Sequence, residues 1–242
     1  MTTLFISDLH LHDDRPGATE LLLEFLSGDA AGADALYILG DLFEYWIGDD
    51  VETRTSRQVA DGLADLREAG VPCFFMHGNR DFLVGERFAA RAGMQLLPEE
   101  QVVRLYGQPA LLLHGDTLCT DDTVYQARRA EVRKPEWQEA FLSRTPRERV
   151  AFARDVRQES ARYKETASAE IMDVNDGAVR NAFTRHGVDL MIHGHTHRPA
   201  VHELELGDGP ARRIVLGDWY EQGSVLRVTP YGAKLETLVF PG

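Results

Sequence analysis

Cysteine is scarce: Cys73 and Cys119 are the only two in 242 residues, and neither belongs to a CxxC or similar cluster. That excludes a thiolate set for structural zinc and a disulfide framework. Cys73 lies inside the apolar run Pro72-Cys-Phe-Phe-Met76 and reads as a buried, reduced thiol. Long apolar runs are missing as well; none approaches the ~18 residues needed to span a bilayer. The start, Met1-Thr-Thr-Leu-Phe-Ile, carries no basic leader, apolar stretch or cleavage site. The expectation is a chain in a reducing cytosol that can still touch a membrane surface. Positive charge is in deficit, with 26 Lys and Arg against 39 Asp and Glu and a net charge of −13. Such a balance argues against basic patches for nucleic acid. It does not exclude phosphate at one neutralised site, because bound metal ions reverse the local sign. Repeats and low-complexity tracts are also absent, and nothing demands an obligate protein partner.

What is present is core-forming material, 43% hydrophobic and 9% aromatic, arranged as short apolar runs that end abruptly in polar clusters. Leu4-Phe-Ile6 leads into Ser7-Asp8, and Ala35 to Leu39 into Gly40-Asp41. Pro72 to Met76 leads into His77-Gly-Asn-Arg-Asp81, Leu111 to Leu113 into His114-Gly-Asp116, and Leu190 to Ile192 into His193-Gly-His-Thr-His197. Each run has the length of a buried strand with little alternation. Helical periodicity separates several of them, as in Leu21, Leu22, Phe25, Leu26 and Val59, Leu63, Leu66. Strands alternating with helices predict a layered α/β core, and the polar clusters then all fall at carboxyl ends of strands, where such sheets bind ligands. From about Val201 the pattern changes to alternating segments, Arg213 to Leu216 and Ser224 to Val228, which predict antiparallel strands in a second sheet.

Residues from about 122 to 168 are helix-friendly and broken near Thr145-Pro146, where Pro suits a first helical turn. The simplest reading is a helical hairpin inserted into a single domain over residues 1–242. The insertion holds 11 Lys and Arg against 8 Asp and Glu, net +3, which leaves −16 for the rest. It is either a solvated insertion or a lid that supplies cations to an anionic substrate. Its aromatics, Tyr125, Trp137, Phe141, Phe152 and Tyr163, read mostly as packing residues.

The polar clusters, Asp8-Leu-His10, Gly40-Asp41, Gly78-Asn-Arg-Asp81, His114 and Gly194-His-Thr-His197, combine carboxylate, imidazole and amide oxygen. That mixture suits Mn, Fe, Zn or Co. Singly each element is weak, since an isolated His is usually structural. Their order, each at a strand end, resembles the calcineurin-like metallophosphoesterases, whose pattern is DxH, GD, GN(H/R)(D/E), H and GHxH. The resemblance implies a layered β-sandwich flanked by helices and two divalent metal ions. One would be held by Asp8, His10, Asp41 and His197, the other by Asp41, Asn79, His114 and His195. Two cations about 3.5–4 Å apart generate a nucleophilic hydroxide and clamp phosphoryl oxygens.

Arg80 stands where many members of that family carry His, a proton donor to an alkoxide leaving group. Arg keeps its proton to a pKa of ~12 or more, so it binds phosphate but is a poor general acid. A leaving group already stable as an anion, such as a phosphate, fits better. Gly40-Asp-Leu-Phe-Glu-Tyr-Trp46, Gly78-Asn-Arg-Asp-Phe82, His114 to Asp122, Ile171 to Asn175 and His193 to Pro199 narrow the resemblance to one branch of the family. Its members hydrolyse a UDP-linked diacylglucosamine to UMP and the sugar 1-phosphate in lipid A synthesis. That likeness implies manganese, peripheral attachment to the cytoplasmic face of the inner membrane, and attack on the nucleotide-side phosphorus. It also implies catalytic roles for Asp41, Asn79, Arg80 and His195. Substrate contacts fall at Asn79, Arg80, Asp122, Ser160, Lys164 and His195, with Arg157 as an alternative to Lys164. Rival readings are a nuclease or cyclic-nucleotide phosphodiesterase using the same metals, and a non-catalytic scaffold on the same fold. Asp81 either orients neighbours in the site or caps a turn; Glu44 to Trp46 either line a pocket or pack beside Asp41. Asp116 and Asp121 read as helix caps, Asp218-Trp219 as core rather than as the floor under the site, and His12, His77, His186, His193 and His202 as structural.

Overall fold

The computed structural model describes residues 1–166, 173–207 and 209–240, without the side chains of residues 160, 161 and 163–166. The strands are β1 (Thr3–Ile6), β2 (Ala35–Leu39), β3 (Cys73–Met76), β4 (Met94–Leu97), β5 (Glu100–Leu105), β6 (Gln108–Leu113), β7 (Leu190–His193), β8 (Ala200–Leu206), β9 (Gly209–Val215), β10 (Gly223–Thr229) and β11 (Gly232–Leu238). The helices are α1 (Pro16–Ser27), α2 (Arg54–Glu68), α3 (Glu86–Arg91), α4 (Thr123–Val132), α5 (Pro135–Leu142), α6 (Pro146–Thr166) and α7 (Asp176–His186). Two sheets form, ordered β11-β10-β1-β2-β3-β4 and β5-β6-β7-β9-β8.

The weak alternation of the early strands has a direct cause: both faces are buried. Leu4, Ile6, Leu36, Ile38, Cys73 and Phe75 pack against residues of α1, α2 and α3. Phe5, Leu39 and Met76 turn to the other face and meet Leu111, Ile192 and Ile214 of the second sheet, with Val179 and Phe183 of α7 in the same cluster. Successive residues of one strand thus serve two cores, as a period of two requires. Each fully buried aliphatic side chain contributes roughly 1.5–3 kcal/mol. Side-chain caps start several helices: Thr53 and Ser56 form a capping box at α2, and Asn175 caps α7, which ends on a left-handed Gly187.

The segments after Val201 do not share one sheet as expected. β8 and β9 extend the second sheet, whereas β10 pairs antiparallel with β1 and carries β11 on the edge of the first. Alternation within a segment does not reveal which sheet edge a strand will join. Among the described residues the insertion forms three helices, α4, α5 and α6, rather than the two of the expected hairpin, because Pro135, at an N1 position, starts a new helix before the break at Thr145-Pro146. Packing is the role of Trp137, Phe141 and Phe152, whereas Tyr125 donates its hydroxyl to Asp116 and sets its ring 5.8 Å from that of His195. Trp137 stacks on Phe141 at 5.1 Å, and Phe152 completes the cluster against the main core. The Arg149 guanidinium, 1% exposed, donates to Ile47 O and to the Asp50 carboxylate, fastening α6 to the chain that follows β2.

Cys73 is buried, as expected, and so is Cys119; burial pushes Cys73 up to about 11 and Cys119 to about 12. The thiolate is the reactive form. At pH 8 the folded chain is therefore expected to resist alkylation at both positions. Mass spectrometry after iodoacetamide treatment should show two adducts in denaturant and none under native conditions.

Candidate metal centre

β1, β2 and β3 are parallel, as are β6 and β7, so the loops after them leave the sandwich on one edge. Backbone bonds knit these loops together. Asp8 N–H donates to Gly40 O and His10 N–H to Asp41 O, each at 3.0 Å, while Gly194 N–H donates to His114 O at 2.8 Å. Among the described residues, six that are not glycine have positive φ: Asp8, His10, Asp41, His195, His197 and Tyr106. Five of them belong to the expected ligand set. Asp and His tolerate the left-handed region better than most residues, and the turn it produces swings each side chain off its strand toward a common point.

Close approach at that point depends on the motif glycines. A Cβ on Gly78 would lie 2.1 Å from Asp41 Oδ1, and one on Gly194 would lie 2.2 Å from Asp8 Oδ2. Asp81 settles between its two readings by accepting from Gly78 N–H at 2.9 Å and Leu42 N–H at 2.7 Å, which ties the asparagine loop to the Asp41 loop.

All seven expected ligands meet. His197 Nε2 is 3.2 Å from both His10 Nε2 and Asp8 Oδ1, and His10 Nε2 is 3.9 Å from Asp8 Oδ1 and from Asp41 Oδ2. On the other side, Asn79 Oδ1 lies 3.1 Å from His114 Nε2 and 2.9 Å from His195 Nδ1, and Asp41 Oδ1 lies 3.8 Å from His114 Nε2. Donor atoms of Asp8, His10 and His197, and those of Asp8, Asp41 and His114, fall within 4.8 Å of one another.

Their chemistry fits cations. Asp8 Oδ2 accepts from Ser7 Oγ–H and His195 N–H at 2.6 and 2.9 Å. Asp8 Oδ1 is buried with no aligned donor, which leaves it directed at the imidazoles. His114 donates Nδ1–H to Leu39 O at 2.8 Å, a contact that turns its Nε2 lone pair toward Asp41 and Asn79. Electrostatics divide the group. Burial raises Asp41 to about 7, with Asp81 and Asp8 adding to the rise against His114. Burial works to lower His114, but Asp41, Asp8 and Asp116 outweigh it and hold it at about 9. His195 is pushed down to about 3 by burial and by the charge on His114. A crowded set of carboxylates and imidazoles of this kind is what a dication relieves.

Behind the ligands stand two carboxylates, Asp218, expected in the core rather than under the site, and Glu44, expected to line a pocket or pack beside Asp41. Asp218 Oδ2 is 3.3 Å from His197 Nδ1, and Glu44 Oε2 is 3.4 Å from His10 Nδ1. No spacing rule exposed them, since neither sits in a motif with its imidazole. Asp116 is no helix cap either: its buried carboxylate accepts from Tyr125 Oη–H at 2.8 Å and Arg129 Nε–H at 2.7 Å, anchoring α4. Asp121 accepts from Asn175 Nδ2–H, and the α4 N-cap is Asp122, which accepts Tyr125 N–H at 2.9 Å. His77 and His193 bond to backbone carbonyls, as structural imidazoles do.

Arg80 is half-buried beside the cluster, with its backbone N–H on Asp41 Oδ1 at 2.8 Å. Among the described residues its guanidinium has no hydrogen-bond or ion-pair partner. Arg157 lies on Glu44 at 3.0 Å. The side chains of Ser160 and Lys164 lie outside the described residues, as do Ile171 and Met172.

A sandwich of two sheets with these five motifs on one edge defines the class of protein, and comparison agrees. The sequence profile of the calcineurin-like phosphoesterases matches residues 1–199, and the chain belongs to that family. It is similar to UDP-2,3-diacylglucosamine hydrolase of Xanthomonas axonopodis pv. citri (strain 306), with 56% identity over 98% of this chain and 99% of that one. The protein of the same name from Stenotrophomonas maltophilia (strain K279a) is 55% identical over the same shares.

Proposed function

We propose that the chain hydrolyses the diphosphate of UDP-2,3-diacylglucosamine to UMP and 2,3-diacylglucosamine 1-phosphate, a step of lipid A synthesis, with two divalent cations, for which the resemblance points to manganese. The observation that carries this reading is the convergence of seven candidate metal donors beside Arg80, whose guanidinium has no hydrogen-bond or ion-pair partner among the described residues. Relatives bearing that activity in their names at 55–56% identity supply the substrate. Asp8, His10, Asp41 and His197 would hold one ion, and Asp41, Asn79, His114 and His195 the other. Bound there, the ions supply an acidified water and neutralise phosphoryl oxygens.

The rest falls to the chain's own groups. Arg80 takes a phosphoryl oxygen pair bidentately and, holding its proton, does not serve as the acid. A departing sugar phosphate needs none. Asn79 and His195 face the same space, and Asp122, Ser160 and Lys164 complete the contacts from the insertion, which acts as a lid. No helix among the described residues is long and apolar enough to cross a membrane. The proposed location is the cytoplasm, with the substrate's acyl chains met at the inner-membrane surface.

Mass spectrometry of products from UDP-2,3-diacylglucosamine with and without Mn²⁺ tests the reading. UMP and the sugar phosphate are expected only with metal, and in oxygen-18 water the label should enter UMP. Label in the sugar phosphate would reverse the direction of attack. Faster hydrolysis of a generic phosphodiester would favour the nuclease alternative.

A further inference from the structure

We infer that Glu44 is a positioning residue that couples the placement of α6 to the first cation site. Its side chain, 9% exposed, sits at the junction of three elements. Glu44 Oε1 is 3.0 Å from Arg157 Nε, and Oε2 is 3.4 Å from both His10 Nδ1 and Tyr220 Oη. The Tyr220 ring stacks on His10 at 5.0 Å with 10° between planes, and the Arg15 guanidinium covers Tyr220 at 4.7 Å. His10 can therefore neither tilt nor slide without disturbing this stack.

The physical argument starts from the cost of a buried carboxylate, which must be met by cations or donors. Glu44 meets it with Arg157 on one oxygen and the Tyr220 hydroxyl on the other, where the His10 imidazole adds an electrostatic contact at 3.4 Å without hydrogen-bond alignment. A proton kept on His10 Nδ1 leaves the Nε2 lone pair facing Asp8 and Asp41, and the carboxylate makes that lone pair a better donor. A cation drawing charge through Nε2 makes the imidazole more positive beside Glu44, and the better-held carboxylate holds Arg157 more firmly. Coupling of this kind is reciprocal: whatever α6 gains from the cation, the cation gains from α6.

The chain path makes the arrangement economical. Asp41, Glu44, Ile47 and Asp50 belong to one segment leaving β2, and α6 reaches it twice, through Arg157 on Glu44 and Arg149 on Ile47 and Asp50. Asp218 provides an internal comparison. It stands behind His197 as Glu44 stands behind His10, at 3.3 Å, and among the described residues it has no contact with α6.

The inference rests on the two-metal reading at one point, that His10 is a ligand. The test is calorimetric titration of the metal-stripped full chain with Mn²⁺. Two ions are expected in the parent. Glu44→Gln should weaken one of them roughly 10–100-fold, the usual effect of losing an outer-shell partner. Arg157→Ala should weaken the same ion at least about fivefold, at the lower end of typical coupling, while Arg157→Lys recovers most of the loss. Combined with Glu44→Gln, Arg157→Ala should add nothing further; combined with Asp218→Asn, it should add in full. Arg157 is 40% exposed, so its replacement leaves the fold intact even where Glu44→Gln does not, and the Arg157 series alone then decides. A parent that binds two ions alongside an Arg157→Ala chain within twofold of it overturns this inference alone. A parent that binds none overturns the metal reading itself.

Discussion

Asp41→Ala is expected to lower kcat/KM by at least about 10³-fold, roughly 4 kcal/mol of transition-state stabilisation, and to remove bound metal measured by mass spectrometry. Asp41 has carboxylate oxygens within 4 Å of an imidazole on each side of the centre, His10 and His114. Its loss would therefore disturb both of the proposed cation sites, whereas loss of His10 or His195 would disturb one. Stability should move the opposite way in the metal-free chain. Burial, with Asp81 and Asp8, raises the Asp41 carboxyl to about 7. A carboxyl raised on folding favours the folded state while protonated, and that contribution disappears as pH rises from its unfolded value of about 4 through 7. With EDTA present at pH 8, Asp41→Asn should melt no lower than the parent, and any advantage should shrink toward pH 4. With Mn²⁺ restored, the parent should melt higher than the variant, because only the parent retains the full donor set. A fully active Asp41→Ala chain would sink the proposed chemistry.

Gly78→Ala should come second in effect. Its Cβ would stand 2.1 Å from Asp41 Oδ1 and 2.3 Å from Asp41 N, both inside van der Waals contact. One of the two loops must move, and Asp41 holds Arg80 N–H while Asp81 holds Gly78 N–H and Leu42 N–H. A shift of about 1 Å at reacting groups costs on the order of 10²-fold in rate, and overpacking costs about 1–3 kcal/mol of stability. Activity assays beside thermal melts separate the two. Gly17→Ala, where nothing lies within 4 Å, is the matched control and should leave both unchanged or raise the melting temperature slightly.

The five motifs could be read because each couples an apolar run, which must be buried, to donors that have no reason to sit at a strand end unless they are used. His114 is the clearest case. Its sequence neighbours say little, yet it follows Leu111 to Leu113 directly, and the structure puts its Nε2 3.1 Å from Asn79 Oδ1. The two-sided burial of β1 to β3 was equally visible as continuous hydrophobicity. Glu44, Asp218 and the anchoring role of Asp116 were not visible, because a carboxylate behind an imidazole is defined by a distance across loops. The same holds for β10, whose alternation suits either sheet and whose partner, β1, lies more than two hundred residues earlier.

The sequence by itself determined the donors, their order along the chain and their attachment to strand ends, since residue type, spacing and hydrophobic run are local properties. The tertiary structure decided which sheet each late strand joined, and it set left-handed turns at Asp8, His10, Asp41, His195 and His197. It alone placed Glu44 and Asp218 behind their imidazoles. Those features depend on chain segments far apart in sequence meeting within hydrogen-bonding distance, and only the packing of the two sheets brings that about.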